Sequence, residues 1–142
     1  MMTVEQRPLD TAARDGSSRR KHVLLVDDNP TILDVLEEFL GAAYVVDRAP
    51  DAQTALKRIG VHRPDVLLLD VNMPGIDGLT LLESIRALGM TMPAFVITGY
   101  NTPQAAQRAA HSHATYLVKP VDLRELDRLV AKSLGVTPFL GT

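Results

Sequence analysis

The sequence predicts a single α/β domain built on a doubly wound parallel sheet with helices on both faces. Three observations predict it: short apolar runs recur along the chain, longer amphipathic stretches alternate with them, and several runs stop abruptly at a polar residue. Continuous apolar runs are typical of strands that are buried on both faces. Five strand–helix pairs in alternation favour a parallel sheet that is covered by helices on each side.

The first strand–helix pair opens the domain. Residues 23–26 form an uninterrupted apolar run that ends at an acidic pair, and this run predicts the first strand. Asn29 and Pro30 then supply a helix cap and a proline at the first helical position. Apolar residues recur at helical spacing over 32–40, and Gly41 ends the predicted helix.

The second and third pairs repeat this arrangement. Residues 44–46 predict a strand, and residues 51–59 predict the helix that follows it. Residues 66–69 are the clearest strand of the chain and run directly into Asp70. Turn-forming sequence covers 73–78, and a helix with apolar residues on one side comes next.

The fourth and fifth pairs complete the predicted sheet. Residues 94–97 predict the fourth strand, and Pro103 opens a fourth helix of low hydrophobicity. Residues 116–118 predict the fifth strand. Asp122, with Glu125 three residues later, imitates a capping box, and a last amphipathic helix follows.

Composition limits the classes of protein to consider. The chain has 142 residues, of which 46% are hydrophobic, and it has no cysteine. This length suits one domain, and the lack of cysteine excludes disulfides and thiolate metal sites. A net charge of −2 gives no reason to expect direct nucleic-acid binding. No apolar run approaches the roughly 20 residues that span a bilayer, so we expect no membrane partner and a cytoplasmic location.

Three segments follow from the distribution of apolar residues. Residues 1–21 are rich in charged and small polar residues, so we expect a flexible N-terminal leader there. The folded domain is predicted over 22–135, and a short C-terminal tail over 136–142.

Five polar side chains follow strands at the same end of the predicted sheet. In chain order they are Asp27 and Asp28 after the first strand, Asp70 after the third, Thr98 after the fourth and Lys119 after the fifth. Because the carboxyl ends of parallel strands meet at one edge, we expect these side chains to lie together. Three neighbouring carboxylates need a compensating cation, and Mg²⁺ takes oxygen ligands and bridges to phosphate. A lysine can pair with a phosphoryl oxygen, and a carboxylate can act as a nucleophile and form an aspartyl phosphate.

These residues carry a resemblance to a known family. The chain resembles the receiver domains of two-component response regulators, and in particular single-domain regulators of the chemotaxis and sporulation type. The matching segments are the acidic pair 27–28, the stretch 68–78, the dipeptide 98–99 and the stretch 116–120. One such motif is weak evidence for the family, but all four together, in this order and at compatible spacing, are specific to it. The resemblance covers about residues 22–134 and implies a flavodoxin-like fold with strand order 2-1-3-4-5.

The resemblance also implies a role for each residue of the acidic site. Asp70 is the implied phosphoacceptor, and Lys119 is implied to pair with the phosphoryl group. The implied ligands of Mg²⁺ are Asp27, Asp28, Asp70 and the main-chain carbonyl of Asn72.

A second set of residues is implied to act in switching. The Thr98 hydroxyl is expected to move to the phosphoryl group, and Tyr116 to turn into the space that this leaves. The peptide bond before Pro120 is expected to be cis. Asn72 and Tyr100 occupy positions that influence how fast water removes the phosphoryl group. One departure from the family is the dipeptide 112–113, which is Ser-His where Gly-Ala is frequent.

The implied function is a signalling switch rather than a metabolic enzyme. It accepts a phosphoryl group from a sensor histidine kinase or a histidine phosphotransfer protein, catalyses its own phosphorylation and slowly hydrolyses the product. The surface of the fourth helix, fifth strand and fifth helix is then read by an output partner or by a second copy of the chain.

Two alternatives stay open at this point. A pseudo-receiver serves only as an interaction surface and usually lacks one of the acids or the lysine, none of which is missing here. A phosphohydrolase of the haloacid-dehalogenase type also uses an aspartyl nucleophile and magnesium. That family has an acid two residues after the nucleophile, where this chain has Asn72, and it usually carries a cap insertion for which the chain has no room.

Overall fold

The computed structural model describes residues 20–140. Its sheet has five parallel strands in the order β2-β1-β3-β4-β5. The strands are β1 (His22–Val26), β2 (Val45–Ala49), β3 (Val66–Asp70), β4 (Ala94–Thr98) and β5 (Thr115–Val118). Neighbours pair in parallel throughout. The predicted fold class and strand order are confirmed.

Each strand is followed by a helix. The helices are α1 (Pro30–Leu40), α2 (Ala52–Val61), α3 (Gly78–Ala87), α4 (Pro103–His111) and α5 (Leu123–Leu134). Each begins after a side chain that caps its free N–H groups: Asn29, Asp51, Asp77, Thr102 and Asp122. Among residues 20–140, no helix is both long and apolar enough to cross a membrane.

Alternation along the strands divides the core into two layers. Leu24 and Leu67 pack on the side of the sheet that carries α2, α3 and α4. Leu25 and Leu68, one residue further along each strand, pack on the side of α1 and α5. β3 and β4 are buried at every position because helices cover both of their faces. This burial holds the carboxyl ends of the central strands at fixed positions.

Gly78 brings the start of α3 against the end of β3. A β-carbon at this position would lie 2.0 Å from the main-chain carbonyl oxygen of Asp70, which is well inside van der Waals contact. The Gly78 N–H also donates to the Val71 carbonyl at 3.0 Å. Only glycine, which has no side chain, therefore fits at the start of α3 after this turn.

The start of the second strand differs from the sequence prediction. Tyr44, predicted in the second strand, lies outside β2 and is buried, and its ring packs edge-on against Phe139. The predicted tail is folded onto the domain as far as residue 140, because the Asp127 carboxylate accepts N–H bonds from Phe139 and Leu140 at 3.1 and 2.9 Å. Most of the predicted leader, residues 1–19, lies outside the described residues.

Gly78→Ala tests the close approach of α3 to Asp70. The added methyl group meets main-chain atoms that cannot move aside, so we expect the free energy of unfolding to fall by about 3 kcal/mol or more. Gly60→Ala is the matched control, since nothing lies within 4 Å of its added β-carbon. Alanine in helix α2 is expected to be neutral or to stabilise by about 0.5–1 kcal/mol. Equal stability of the two variants in urea denaturation would contradict the close approach.

Candidate functional site

The carboxyl edge of the sheet collects the polar residues that the sequence places after its strands. Asp27 follows β1, while Asp70 and Thr98 are the last residues of β3 and β4. Lys119 follows β5, and its N–H donates to the Thr98 carbonyl at 2.7 Å. The peptide bond between Lys119 and Pro120 is cis.

Three carboxylates meet at this edge. One oxygen each from Asp27, Asp28 and Asp70 lies within 4.8 Å of the others. Asp27 and Asp70 are only 5% and 6% exposed, whereas Asp28 is exposed to solvent. Asp27 is oriented by the backbone of the turn that follows it, because its Oδ1 accepts the Asn29 N–H at 2.9 Å. The result is a half-enclosed cluster of negative charge with one open side.

Lys119 is the cation that faces these acids. Its Nζ lies 3.3 Å from Asp70 Oδ1 and 3.6 Å from Asp27 Oδ2. At this distance the contact with Asp70 is an ion pair, and the buried Oδ1 has no well-oriented hydrogen bond among the described residues. One ammonium group thus opposes three carboxylates.

Burial and nearby negative charge both shift the pKa of the Asp70 carboxyl. Burial raises the pKa of the Asp70 carboxyl, and the Asp27 charge raises it further. Lys119 lowers this pKa, and Asp28 raises it slightly, so that the net shift is upward. The ionised form of Asp70 is therefore less favoured in the folded protein than in a free aspartate, and added positive charge would favour it again.

The donor set suits a small, hard divalent cation. Carboxylate oxygens are preferred ligands of Mg²⁺, which also retains water molecules and binds through few protein ligands. The cluster offers three carboxylates, of which two are buried and one faces solvent. It offers no sulfur ligand, because the chain has no cysteine.

Thr98 lies beside the acids and is tied to the loop that follows β4. Its hydroxyl donates to the Tyr100 carbonyl at 3.2 Å and accepts the Tyr100 N–H at 3.0 Å. The Asn72 side-chain amide donates to the same hydroxyl at 3.4 Å. The Tyr100 ring itself is 72% exposed at the mouth of the site.

Tyr116 reaches the same loop from β5. Its hydroxyl donates to the Tyr100 carbonyl and accepts the Thr102 N–H, both at 3.3 Å. Thr98 and Tyr116 thus share one carbonyl acceptor, and Thr102 is the residue that caps α4. Movement of either hydroxyl would change how the start of α4 is held.

With this geometry in view, comparison with known proteins identifies the family. Residues 23–131 match the family model of the response regulator receiver domain. The chain belongs to this family. Receiver domains are signalling switches of two-component systems, so the resemblance seen in the sequence is confirmed.

Relatives of this receiver domain occur alone and within longer regulators. A 14.6 kDa protein of Leptolyngbya boryana is 40% identical over 112 residues, which are 76% of this chain and 86% of that protein. The DNA-binding transcriptional regulator NtrC of Escherichia coli K12 is 36% identical over 119 residues. The match covers 82% of this chain but 25% of NtrC, so the chain spans about a quarter of that regulator's length.

Solved structures agree with the fold. A CheY-like receiver domain protein of Methanospirillum hungatei is 29% identical with a TM-score of 0.79, over 82% of this chain and 95% of that one. The chemotaxis protein CheY4 of Vibrio cholerae is 30% identical with a TM-score of 0.76, over 82% and 100% of the two chains.

An apolar groove borders the acidic site of the receiver domain. It has a volume of about 500 Å³ and lies between α1 and the segment that joins β5 to α5. Lys119 lines this groove and also contacts Asp70. The groove is lined by Ile32, Val35, Leu36, Ile97, Lys119, Pro120, Val121 and Leu123.

Two positioning residues of the receiver domain were not assigned a role from the sequence. Gly78 sets the distance between α3 and the Asp70 carbonyl, and Thr102 links the cap of α4 to Tyr116. The glycine directly after the Asp77 cap was a usable signal for a close approach. The Thr102–Tyr116 bond joins residues 14 positions apart in different elements, and no local pattern indicates it.

Asp70→Asn is expected to stabilise the receiver domain when a chelator is present. Because the pKa of Asp70 is raised in the folded protein, the protonated Asp70 side chain adds to the free energy of unfolding, and this contribution is complete below the ordinary aspartate pKa. The contribution is lost as the pH rises through the raised pKa. At pH 7 the amide removes this loss, so the melting temperature should rise above that of the parent. Thermal unfolding with EDTA measures the change.

Asp127→Asn is the contrasting control for that measurement. Asp127 is also buried, but both its oxygens accept main-chain N–H bonds, and an amide offers only one acceptor. This variant should therefore melt below the parent. An Asp70→Asn protein that also melts below the parent would contradict the electrostatic account of the site.

Proposed function

We propose that this receiver domain accepts a phosphoryl group on Asp70 and works as a switch in a two-component phosphorelay. The observation that carries the proposal is the buried Asp70 Oδ1, which accepts no hydrogen bond among the described residues and lies 3.3 Å from the Lys119 ammonium group. A buried carboxylate oxygen that has a nearby cation but no well-oriented hydrogen bond is costly to keep. A reactive role explains why the fold retains it.

The proposed reaction is a nucleophilic displacement at phosphorus. A lone pair of an Asp70 oxygen forms the new P–O bond while the P–N bond to a donor phosphohistidine breaks. The imidazole nitrogen leaves with that electron pair and takes up a proton from solvent. Lys119 holds the phosphoryl oxygens through its charge, and its second ion pair, with Asp27, helps to keep the lysine in place.

Mg²⁺ is the proposed cofactor. Asp27, Asp28, Asp70 and the Asn72 main-chain carbonyl would hold it, directly or through water, and the clustered carboxylates are the support for this assignment. When bound, the metal neutralises charge that develops on the phosphoryl oxygens. Asn72 and Tyr100, at the mouth of the site, are the residues expected to influence access of water to the product.

Thr98 and Tyr116 are proposed to carry the signal away from the site. A phosphoryl oxygen offers Thr98 a charged acceptor in place of the Tyr100 carbonyl, and bonds to charged acceptors are stronger. Tyr116 then turns inward, so the Thr102 N–H loses its partner. The surface of α4, β5 and α5 changes as a result, and an output partner or a second copy of the chain reads it.

The proposed phosphodonor is a sensor histidine kinase or a histidine phosphotransfer protein, and we keep the cytoplasmic location expected from the sequence. The apolar groove supports docking of such a donor, because it opens beside Lys119 and within reach of Asp70. A helix that carries the phosphohistidine and lays apolar side chains in this groove would bring phosphorus to the carboxylate.

Incubation with Mg²⁺ and acetyl phosphate tests the proposed acceptor. We expect intact mass spectrometry to find one phosphoryl adduct on the parent and none on Asp70→Asn, because the amide is not a nucleophile for phosphorus. Asp47→Asn is the matched control, an aspartate within β2 away from the carboxyl edge, and it should keep the adduct. An unmodified parent, or an equal adduct on Asp70→Asn, would contradict the proposed function.

A further inference from the structure

Helix α4 is attached to the domain by little apolar burial. Ala109 is its one buried residue, and Ala105 and Ala106 are half-buried. Because hydrophobic stabilisation grows with the area buried, three alanines contribute far less than the leucines that anchor α3. Polar contacts therefore carry a large share of the attachment of α4.

Arg108 makes most of these polar contacts. Its guanidinium donates to both carboxylate oxygens of Glu83, at 2.8 and 3.1 Å, and to the Thr80 hydroxyl at 3.2 Å. The Asp77 carboxylate lies 3.9 Å away on the same side. All three partners belong to α3 or to its cap, so one α4 side chain is joined to the first two turns of α3. We call Arg108, Glu83, Thr80 and Asp77 the α3–α4 clamp.

The clamp connects α4 to a part of the structure that is fixed relative to the acceptor. α3 starts at Gly78, against the Asp70 carbonyl, and it buries Leu79, Leu81 and Leu82 in the core. The two-point contact between Arg108 and Glu83 is the geometry in which a guanidinium and a carboxylate bind with orientational specificity. The hydrogen bond from Arg108 also lowers the pKa of Glu83, so the carboxylate is charged at neutral pH.

The other end of α4 is attached differently. Its cap residue Thr102 donates its N–H to the Tyr116 hydroxyl, which belongs to the proposed switch. When Tyr116 turns inward, the hydrogen bond at the cap of α4 is lost. The clamp is lost only if α4 itself moves away from α3. The clamp thus opposes displacement of α4 from the described position.

We propose that Arg108 is a positioning residue whose clamp to α3 holds α4 in the resting arrangement and sets how readily the domain enters the phosphorylated one. This inference rests on the proposed function, because it needs an acceptor at Asp70 that is coupled to α4. A contact made in only one of two states shifts the equilibrium by its full free energy. Removal of the clamp should therefore favour the phosphorylated arrangement.

The expected shift is modest because the clamp is partly exposed. The side chains of Arg108 and Glu83 are 40% and 43% exposed, so water and salt screen their attraction. We expect removal of either partner to change the switching equilibrium about two- to fivefold. The two residues act as a unit, so Arg108→Gln with Glu83→Gln should have no larger effect than one substitution.

Two measurements on the full chain test the clamp. Amide hydrogen exchange without phosphodonor should be two- to fivefold faster in α4 of Arg108→Gln and Glu83→Gln than in the parent, while α2 is unchanged. Titration with beryllofluoride and Mg²⁺, a mimic of the phosphoryl group, should give a two- to fivefold higher apparent affinity in the same variants.

Arg48→Gln is the matched control. Arg48 also contacts two acids across neighbouring elements, with Asp34 at 2.6 Å and Glu37 at 2.9 Å, but it joins β2 to α1. Its loss should leave α4 exchange and beryllofluoride affinity at the parent values. An equal effect of Arg48→Gln would overturn the assignment to the α3–α4 clamp.

The two proposals fail in different ways. If the parent takes no phosphoryl adduct and no beryllofluoride, the proposed function fails. If the parent takes both but α4 exchange is unchanged in Arg108→Gln, the clamp does not hold α4. Faster exchange with unchanged or weaker beryllofluoride affinity would also overturn the inference, because the clamp would then not distinguish the two arrangements.

Discussion

The structure depends on a balance between mutually repelling carboxylates and the few positive groups that hold them together. One oxygen each from Asp27, Asp28 and Asp70 falls within 4.8 Å of the others, while Lys119 is the ammonium group within ion-pair distance of two of them. Like charges at this separation are unfavourable even when solvent weakens them. The parallel sheet imposes this proximity, because the helices on both faces fix the ends of β1 and β3. The site is therefore ready to gain free energy from a bound cation.

Hydrogen bonds connect that site to the surface of the domain, and the proposed switch uses this connection. Thr98 and Tyr116 share the Tyr100 carbonyl, so the acidic site and the α4 cap are joined through a single loop. On the far side of α4, Arg108 binds the helix that starts against the Asp70 carbonyl. α4 is thus held by polar contacts at both ends, with Tyr116 at its cap and with Arg108 and the bond from Arg86 to the Ser112 carbonyl towards its end, and it buries little apolar surface of its own. Such an element can shift at low cost, which supports the proposed role of α4 in the switch.

Much of this arrangement could be predicted from the sequence because it follows from local patterns. Continuous apolar runs ending at Asp27, Asp70 and Thr98 predicted buried parallel strands and the edge at which their polar ends meet. The contacts of the C-terminal segment with Asp127, and of Arg108 with α3, could not be predicted in this way. Both join residues whose proximity depends on how helices pack, and neither an aspartate nor an arginine in an amphipathic helix indicates its partner. The position of Tyr44 was predicted wrongly because an aromatic residue beside a strand resembles one within it.

Paramagnetic broadening by Mn²⁺, which takes the same oxygen ligands as Mg²⁺, tests the central claim most directly. In an NMR titration of the full chain, the first amide signals to broaden should be those of residues 27–29, 70–72, 98–99 and 119. Asp28→Asn should require more Mn²⁺ for the same broadening, because one charged ligand is lost. Broadening that begins instead at other acidic surfaces, such as α1 around Glu37 and Glu38, with no response at Asp70, would contradict the account.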